Sequence, residues 1–358
     1  MSTDVVAITA PAPWPPAWSR WVAACTVAEV LGMAAASAAA VGGTVLVGEA
    51  TGAPAALTVL GLALLGGAVE GLAVGELQLR VLRTWLPALS RARYVGWTVA
   101  VAVAFWALGM LPSTIMTLTG TVPDPGDTGD PPVAVILAIA AVGGALGGAL
   151  FGLVQGAVLR GHVPHPWHWV RPNVVGWALA VAVITLGASR VPSGITGAAV
   201  VGYGLLVGLV AGACIGVVTG QALPSLELGL PWWNRTVVDL LLSPLHLVLS
   251  RSVVVLRLRG RRTGRSVTLP VKYAEAEPGT LVVYVADAAA KTWWRSFASG
   301  EHPVSVRLRG HSFEGSGSVV PVEDPAYAAL AAAYTAAQPR VTLSTDATLV
   351  RLGLRRER

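Results

Sequence analysis

The chain has 358 residues, of which 12% are charged and 54% hydrophobic. Average soluble domains carry about 25% charged residues, so a single ordinary water-soluble domain is excluded. The net charge of +6 would suit a nucleic-acid partner, but its placement argues against one: residues 1–230 hold 8 Arg, no Lys and 9 acids, whereas residues 231–358 hold 17 basic and 10 acidic side chains. Two chemically different objects are joined near Pro231.

Residues 1–20 are Pro-rich and contain an acid but no basic residue before Arg20. They lack the charged start of a cleaved signal and are expected to be retained and flexible. Cys25 and Cys214 lie in apolar segments without C-x-x-C spacing, which points to neither a disulfide framework nor a metal site.

A hydrocarbon core about 30 Å thick needs about 20 apolar residues per helix. Six segments within residues 21–224 meet that demand, at 21–48, 55–79, 94–118, 133–159, 173–188 and 198–223. Arg80, Arg83, Arg91 and Arg93 in the second connection, and Arg160 and Arg171 in the fourth, oppose an acidic third connection with Asp124, Asp127 and Asp130. Retention of basic loops on the cytoplasmic side predicts a multi-pass protein of the cytoplasmic membrane with both termini inside; Arg190 alone dissents. Trp14, Trp18, Trp21, Trp85, Trp97, Trp167, Trp169 and Trp177 are then expected at the lipid–water interfaces.

An internal repeat runs through this half. Gly71, Gly75, Gln78, Leu82 and Arg83 match Gly148, Gly152, Gln155, Leu159 and Arg160, and a decayed third copy is Gly212, Gly216, Thr219, Leu223 and Pro224. Gly96-Trp97 and Gly176-Trp177 follow the first two copies. Glycines four apart allow close helix approach, and a glutamine one turn on can bond across the interface; a pore lined by Gln78 and Gln155 is the sharper alternative. Glu29, Glu70 and Glu76 are the intramembrane acids, with Glu70 the deepest and the best placed for a ligand or proton role. Glu76 is near enough to the cytoplasmic end to meet headgroups or an Arg. His162, His165 and His168 have metal-like spacing, but Pro164 and Pro166 break any helix that would align them.

Residues 225–251 read as an interfacial linker helix opening on Trp232-Trp233 and broken at Pro244. Residues 252–358 change to period-two patterning: Val253 and Val255 against Arg257 and Arg259, a turn bounded by Gly260 and Gly264, then Val267, Leu269 and Val271 against Lys272. Further strands are expected at 281–285, 304–308, 312–322 and 347–354, with helices at 291–298 and 324–337, forming a small, mainly antiparallel sheet or barrel. The turn GRRTGR (260–265) sets three arginines among glycines, which suits phosphate oxygens or a solvated hairpin tip.

The run from SPLHLVLSR through GRRTGR to LPVKYA, then KTWWRSF (291–297), VSVRLRG (304–310), D-P-A-Y (324–327) and LVRLGL (349–354) resembles the deazaflavin-dependent nitroreductase family. The resemblance covers about residues 234–351 and implies a split β-barrel of the pyridoxamine-phosphate oxidase-like type. It also implies a site for coenzyme F-420, or less often FMN. Arg261, Arg262, Thr263, Gly264 and Arg265 would hold the phosphate-bearing tail and Pro270 and Val271 would lie near the ring. Lys291, Thr292 and Trp294 would complete the pocket. The family commonly has Asn after W-W-R, where this chain has Ser296. No catalytic acid or nucleophile stands out; Tyr273, His302 and His311 are the available proton donors.

The expected fold is therefore a six-helix transmembrane bundle followed by an α+β split β-barrel. The expected function is a membrane-anchored oxidoreductase that passes hydride between F-420 and an acceptor, a quinone or another lipophilic molecule. The alternative is a transporter or scaffold with a regulatory, non-catalytic cofactor domain. The bilayer is the expected partner, nucleic acid is not, and the G-x-x-x-G faces offer a route to self-association.

Overall fold

The computed structural model describes residues 15–16, 18–48, 50, 52–120, 131–226, 232–261, 264, 266–344 and 347–356. They form two compact units that divide between residues 227 and 228.

The first unit consists of six helices: α1 (Trp18–Val47), α2 (Ala53–Arg83), α3 (Arg91–Thr119), α4 (Val133–Leu159), α5 (Val170–Ala188) and α6 (Ala198–Ala222). All six are long and apolar enough to cross a bilayer, making this a multi-pass membrane protein. Ser90 caps α3 by accepting from the Arg93 backbone N–H, and Gly120 closes it in the left-handed conformation. The acidic connection with Asp124, Asp127 and Asp130 lies outside the described residues.

The repeat glycines explain the helix order. A Cβ on Gly75, Gly152 or Gly216 would come within 3.1, 2.6 and 2.8 Å of the Cα of Val95, Val170 and Val22. Thus α2 seats on α3, α4 on α5, and the third copy, α6, on α1. The last helix closes on the first, so the repeating hairpin is cyclically permuted along the chain. The G-x-x-x-G face of each of the three repeat copies is covered by a helix of the same chain.

The Gly-Trp pairs are not equivalent positions. Gly96 faces open space and Trp97 is 55% exposed, whereas Gly176 packs on Ile215 and Trp177 is buried, stacked on Phe151 with centroids 4.6 Å apart. The true counterparts are Trp21-Val22, Tyr94-Val95 and Trp169-Val170. Trp21, Trp85, Trp169 and Trp177 are core residues rather than interfacial anchors, while Trp97 and Trp167 are exposed. Trp14 lies outside the described residues. Indoles carry a large apolar area and one polar N–H, so burial is favourable wherever that proton finds an acceptor.

The second unit begins with α7 (Trp232–Leu242), whose Val238 and Leu241 pack on Val255. A curled, wholly antiparallel half-barrel follows: β1 (Val253–Arg259), β2 (Ser266–Lys272), β3 (Ala274–Glu277), β4 (Thr280–Tyr284), β5 (His302–Leu308), β6 (His311–Val320) and β7 (Leu349–Arg356), in the order β2-β1-β5-β6-β7-β4-β3. The hairpin pairs Arg259 with Ser266. On β1 the core-facing residues are Val254, Leu256 and Leu258. Val253, Val255, Arg257 and Arg259 therefore share the opposite face, since side chains alternate along a strand.

Strand β3 carries the polar sequence AEAE and gives little period-two signal; it is an edge strand paired only with β4, with a register shift between Glu275 and Glu277. The helix expected at 291–298 is a single 3-10 turn, Trp293–Ser296. Helix α8 (Tyr327–Ala337) covers the far face of the sheet, placing Leu330 and Tyr334 on Ala274, Val282 and Leu349.

Candidate functional site

Two motifs distant in sequence meet at one end of the half-barrel. The Arg261 backbone N–H donates to Ser296 Oγ at 3.4 Å, and the Arg261 guanidinium donates to the Glu301 carbonyl at 3.3 Å. The β1–β2 turn is thereby tied to the 3-10 turn of KTWWRS. The Gly264 N–H donates to the Gly260 carbonyl at 2.8 Å, with Gly264 in the left-handed region at φ +63°, so the loop folds tightly on itself. Arg262, Thr263 and Arg265 lie outside the described residues.

Ser296 is buried, and its hydroxyl receives the Arg261 amide. Trp294 packs half-buried against the barrel core and donates its indole N–H to the Ala288 carbonyl at 2.9 Å. Lys291, Thr292, Arg261 and Gly264 are exposed. Pro270 and Val271 are consecutive on β2, so they face opposite sides: Val271 the barrel core, and Pro270 the side of Val255, its partner on β1.

In sequence the strand arginines read only as a polar face. Arg257 is 0% exposed, flanked by its cross-strand partners Thr268 and Ser305. Arg307, opposite Val255, lies diagonally across from it and donates to Ser312 Oγ at 2.6 Å. The Nε of Arg259, two residues before Arg261, is buried with no hydrogen-bond partner. The signal was available: three arginines at alternate positions of neighbouring strands share a face.

The expected proton donors are mostly committed elsewhere. His302 Nε2–H donates to the Arg259 carbonyl at 2.6 Å and braces the end of β1. The Tyr273 hydroxyl donates to the Ser250 carbonyl at 2.9 Å, and burial raises its pKa above the ordinary range. His311 is exposed at the start of β6. A separate cavity of about 430 Å³ lies between α8 and the sheet, lined by Glu277, Glu301, Ser316, Ser318 and Arg351 among others. None of the described residues expected to bind cofactor lines it.

In the helical unit Gln78 and Gln155 come together. Gln155 Nε2 donates to Gln78 Oε1 and Thr98 Oγ1, both at 3.2 Å, and Gln155 Oε1 accepts from Trp169 Nε1 at 2.8 Å. Gln78 Oε1 also accepts from the Tyr94 hydroxyl at 3.0 Å, while Gln78 Nε2 donates to Cys25 Sγ at 3.6 Å. The third copy completes the pattern, with Trp21 Nε1 donating to Thr219 Oγ1 at 2.8 Å. In all three pairs an aromatic at the start of one helix donates to the polar residue of the helix that grips it. Each aromatic follows a basic or imidazole side chain and precedes Val: R-W-V, R-Y-V and H-W-V. That tripeptide is the sequence signal for the partner positions.

The network is a structural clasp, since Gln155 uses both amide protons and its carbonyl within the protein. Replacing Gln155 by Leu is expected to strand the Trp169 N–H and to cost about 1–3 kcal/mol. Equilibrium unfolding in mixed micelles measures this, and an unchanged midpoint would contradict the clasp.

Several other polar groups of this unit are paired. Glu76 pairs with Arg91. The rings of His165 and His168 stack with centroids 5.0 Å apart, and His168 Nδ1 meets the Ser225 carbonyl at 2.9 Å. Glu70 Oε2 accepts from Trp106 Nε1 at 2.6 Å.

No family model matches the chain, and no curated protein is similar to it in sequence.

Proposed function

We propose that the protein is a membrane-anchored oxidoreductase whose half-barrel binds a phosphate-bearing hydride carrier, coenzyme F-420 or alternatively FMN. The resemblance of residues 234–351 to the deazaflavin-dependent nitroreductases motivates the reading. The observation that carries it is the hydrogen-bonded meeting of the GRRTGR turn with the KTWWRS turn, two motifs the resemblance assigns to one pocket. The residues fit such a group: a buried guanidinium nitrogen on Arg259 lacks a partner beside the turn, and anionic oxygens are the acceptors that guanidinium groups satisfy best.

When bound, the cofactor supplies two-electron hydride chemistry. The turn arginines and Lys291 would grip its phosphate, and Trp294, held by Ala288, would wall the ring. The reading places this unit on the cytoplasmic side, by the basic connections, with Trp233, Leu245, Leu247 and Val248 exposed as apolar contacts for the bilayer. A quinone or other lipophilic acceptor follows from that setting.

Deazaflavin fluorescence titration of the full chain in lipid nanodiscs tests the reading. Saturable binding is expected, weakened at least about tenfold by Arg262→Ala, which removes a charge-assisted contact of roughly 1.5–3 kcal/mol. No binding, or affinity unchanged in the variant, would overturn the assignment. Oxidation of reduced F-420 should accelerate when quinone is added to the nanodiscs.

A transport role is the second reading. It draws on the carboxylates in the core of the helical unit.

A further inference from the structure

Glu29 is 1% exposed in the helical unit, and neither of its carboxylate oxygens has a hydrogen-bond partner. It lies roughly 17 Å from the start of α1 at about 1.5 Å per residue, near mid-depth for a core about 30 Å thick. Glu70 reaches the same level from α2, because Gly32 leaves room for it: a Cβ there would come within 2.6 Å of Glu70 Cγ. Glu29 precedes Gly32 by three residues on α1, so its side chain lies one turn from the point where Glu70 packs.

Among the described residues of the helices packed around them, no basic side chain answers them. Residues 21–47, 53–79, 94–119 and 198–222 contain no Lys, Arg or His. Helix α6 presents the Gly208 and Gly212 backbone to Glu29, α3 presents the Trp106 indole to Glu70, and Cys25 lies one turn from Glu29 on α1. Two like charges in an apolar interior cannot both persist without a cation. A hard metal ion would want six to eight oxygen ligands for calcium, or near-octahedral oxygens for magnesium. Here a Trp106 N–H donor already occupies one carboxylate oxygen, and among the described residues no group of three or more His, Cys, Asp or Glu could hold a metal.

We infer that Glu29 and Glu70 form a proton-binding pair inside the transmembrane bundle, holding one proton between them and exchanging it past Trp106. Trp106 also lines a cavity of about 380 Å³ among α1, α2 and α3, together with Ala36, Ala40, Gly43, Ala63 and Met110. Trp106 thus borders the cavity while its N–H meets the acid. The cavity lies toward the α1–α2 connection, away from the Arg-bearing end. The inference does not depend on any cofactor in the half-barrel.

A hydrophobic carbodiimide tests it on the full chain in proteoliposomes. A protonated carboxyl adds its O–H across one C=N bond of the reagent, and the acyl group then migrates to nitrogen; nothing is released, so the mass rises by one reagent. Peptide mapping should find a single adduct per chain, on Glu29 or Glu70, that diminishes as pH rises and is unaffected by sodium or lithium. Glu76, paired with Arg91, should stay unlabelled. Glu29→Gln and Glu70→Gln should each confine the adduct to the remaining acid, and Trp106→Phe should speed labelling several-fold. Absence of any adduct at the pair, two adducts per chain, or protection by sodium or lithium would overturn the inference.

Discussion

Phe297→Ala is expected to destabilise the half-barrel by about 3–5 kcal/mol, the usual cost of emptying a fully buried aromatic site. Phe297 is 0% exposed and sits at the junction of everything that shapes the expected cofactor end. Its ring meets Trp293 edge-on at 6.2 Å and His302 at 5.7 Å, and it lies over Gly317, where a Cβ would collide with it. Its carbonyl accepts from the Val319 N–H at 3.2 Å, anchoring the 3-10 turn to β6. Removing the ring leaves a cavity under the turn that holds Ser296, and so loosens the tie to Arg261. Hydrogen exchange resolved by segment should show faster exchange in residues 291–297 and in β5 and β6, with the helical unit unchanged. A loss below about 1 kcal/mol would mean that the neighbouring aromatics collapse into the space, and the rigid-platform account of the turn would fail.

The second large effect belongs to the helical unit. Gly148→Leu should separate α4 from α5, because a side chain there would run into the Asn173 carbonyl and the Trp177 Cβ. Backbone cannot rotate away as a side-chain tip can, so the cost is expected to reach or exceed the roughly 1–3 kcal/mol typical of overpacking. Gly143→Leu is the matched control: it lies on the same helix with nothing within 4 Å. Thermal unfolding in detergent should show a clear fall in midpoint for Gly148→Leu and little change for Gly143→Leu. Equal midpoints would mean that α4 and α5 adjust freely, and the glycine faces would not be what sets the helix order.

Much of the architecture was legible from local pattern. Bilayer thickness demands long apolar runs, and all six were found within a few residues of their ends. Backbone alternation likewise marked β1 and β2, and the turn at Gly260 and Gly264 joined them as expected. The signal failed where local chemistry was weak or ambiguous. AEAE has low strand propensity and forms β3 only because β4 supplies its hydrogen bonds. Buried tryptophans look like interfacial ones in sequence, since both need one apolar body and one polar partner; only the acceptors Thr219 and Gln155 distinguish Trp21 and Trp169.

The site residues divide the same way. Gln78 and Gln155 stood out through the repeat, and the structure joined them, but the repeat did not reveal that its third copy grips α1. That contact links residues such as Trp21 and Thr219, nearly the whole bundle apart in the chain, and no spacing rule spans such a separation. Likewise the composition announced intramembrane acids, while the meeting of Glu29 with Glu70 depends on Gly32 being small at one crossing point. Local periodicity, solvent preference and turn chemistry are properties of short segments, so the sequence was enough for the spans, the hairpin and the charge division. Closure of α6 on α1, the aromatic clasps, the carboxylate pair and the joining of the GRRTGR turn to the KTWWRS turn are close-packed contacts between distant segments. Their geometry is decided only when the helices and strands are in place.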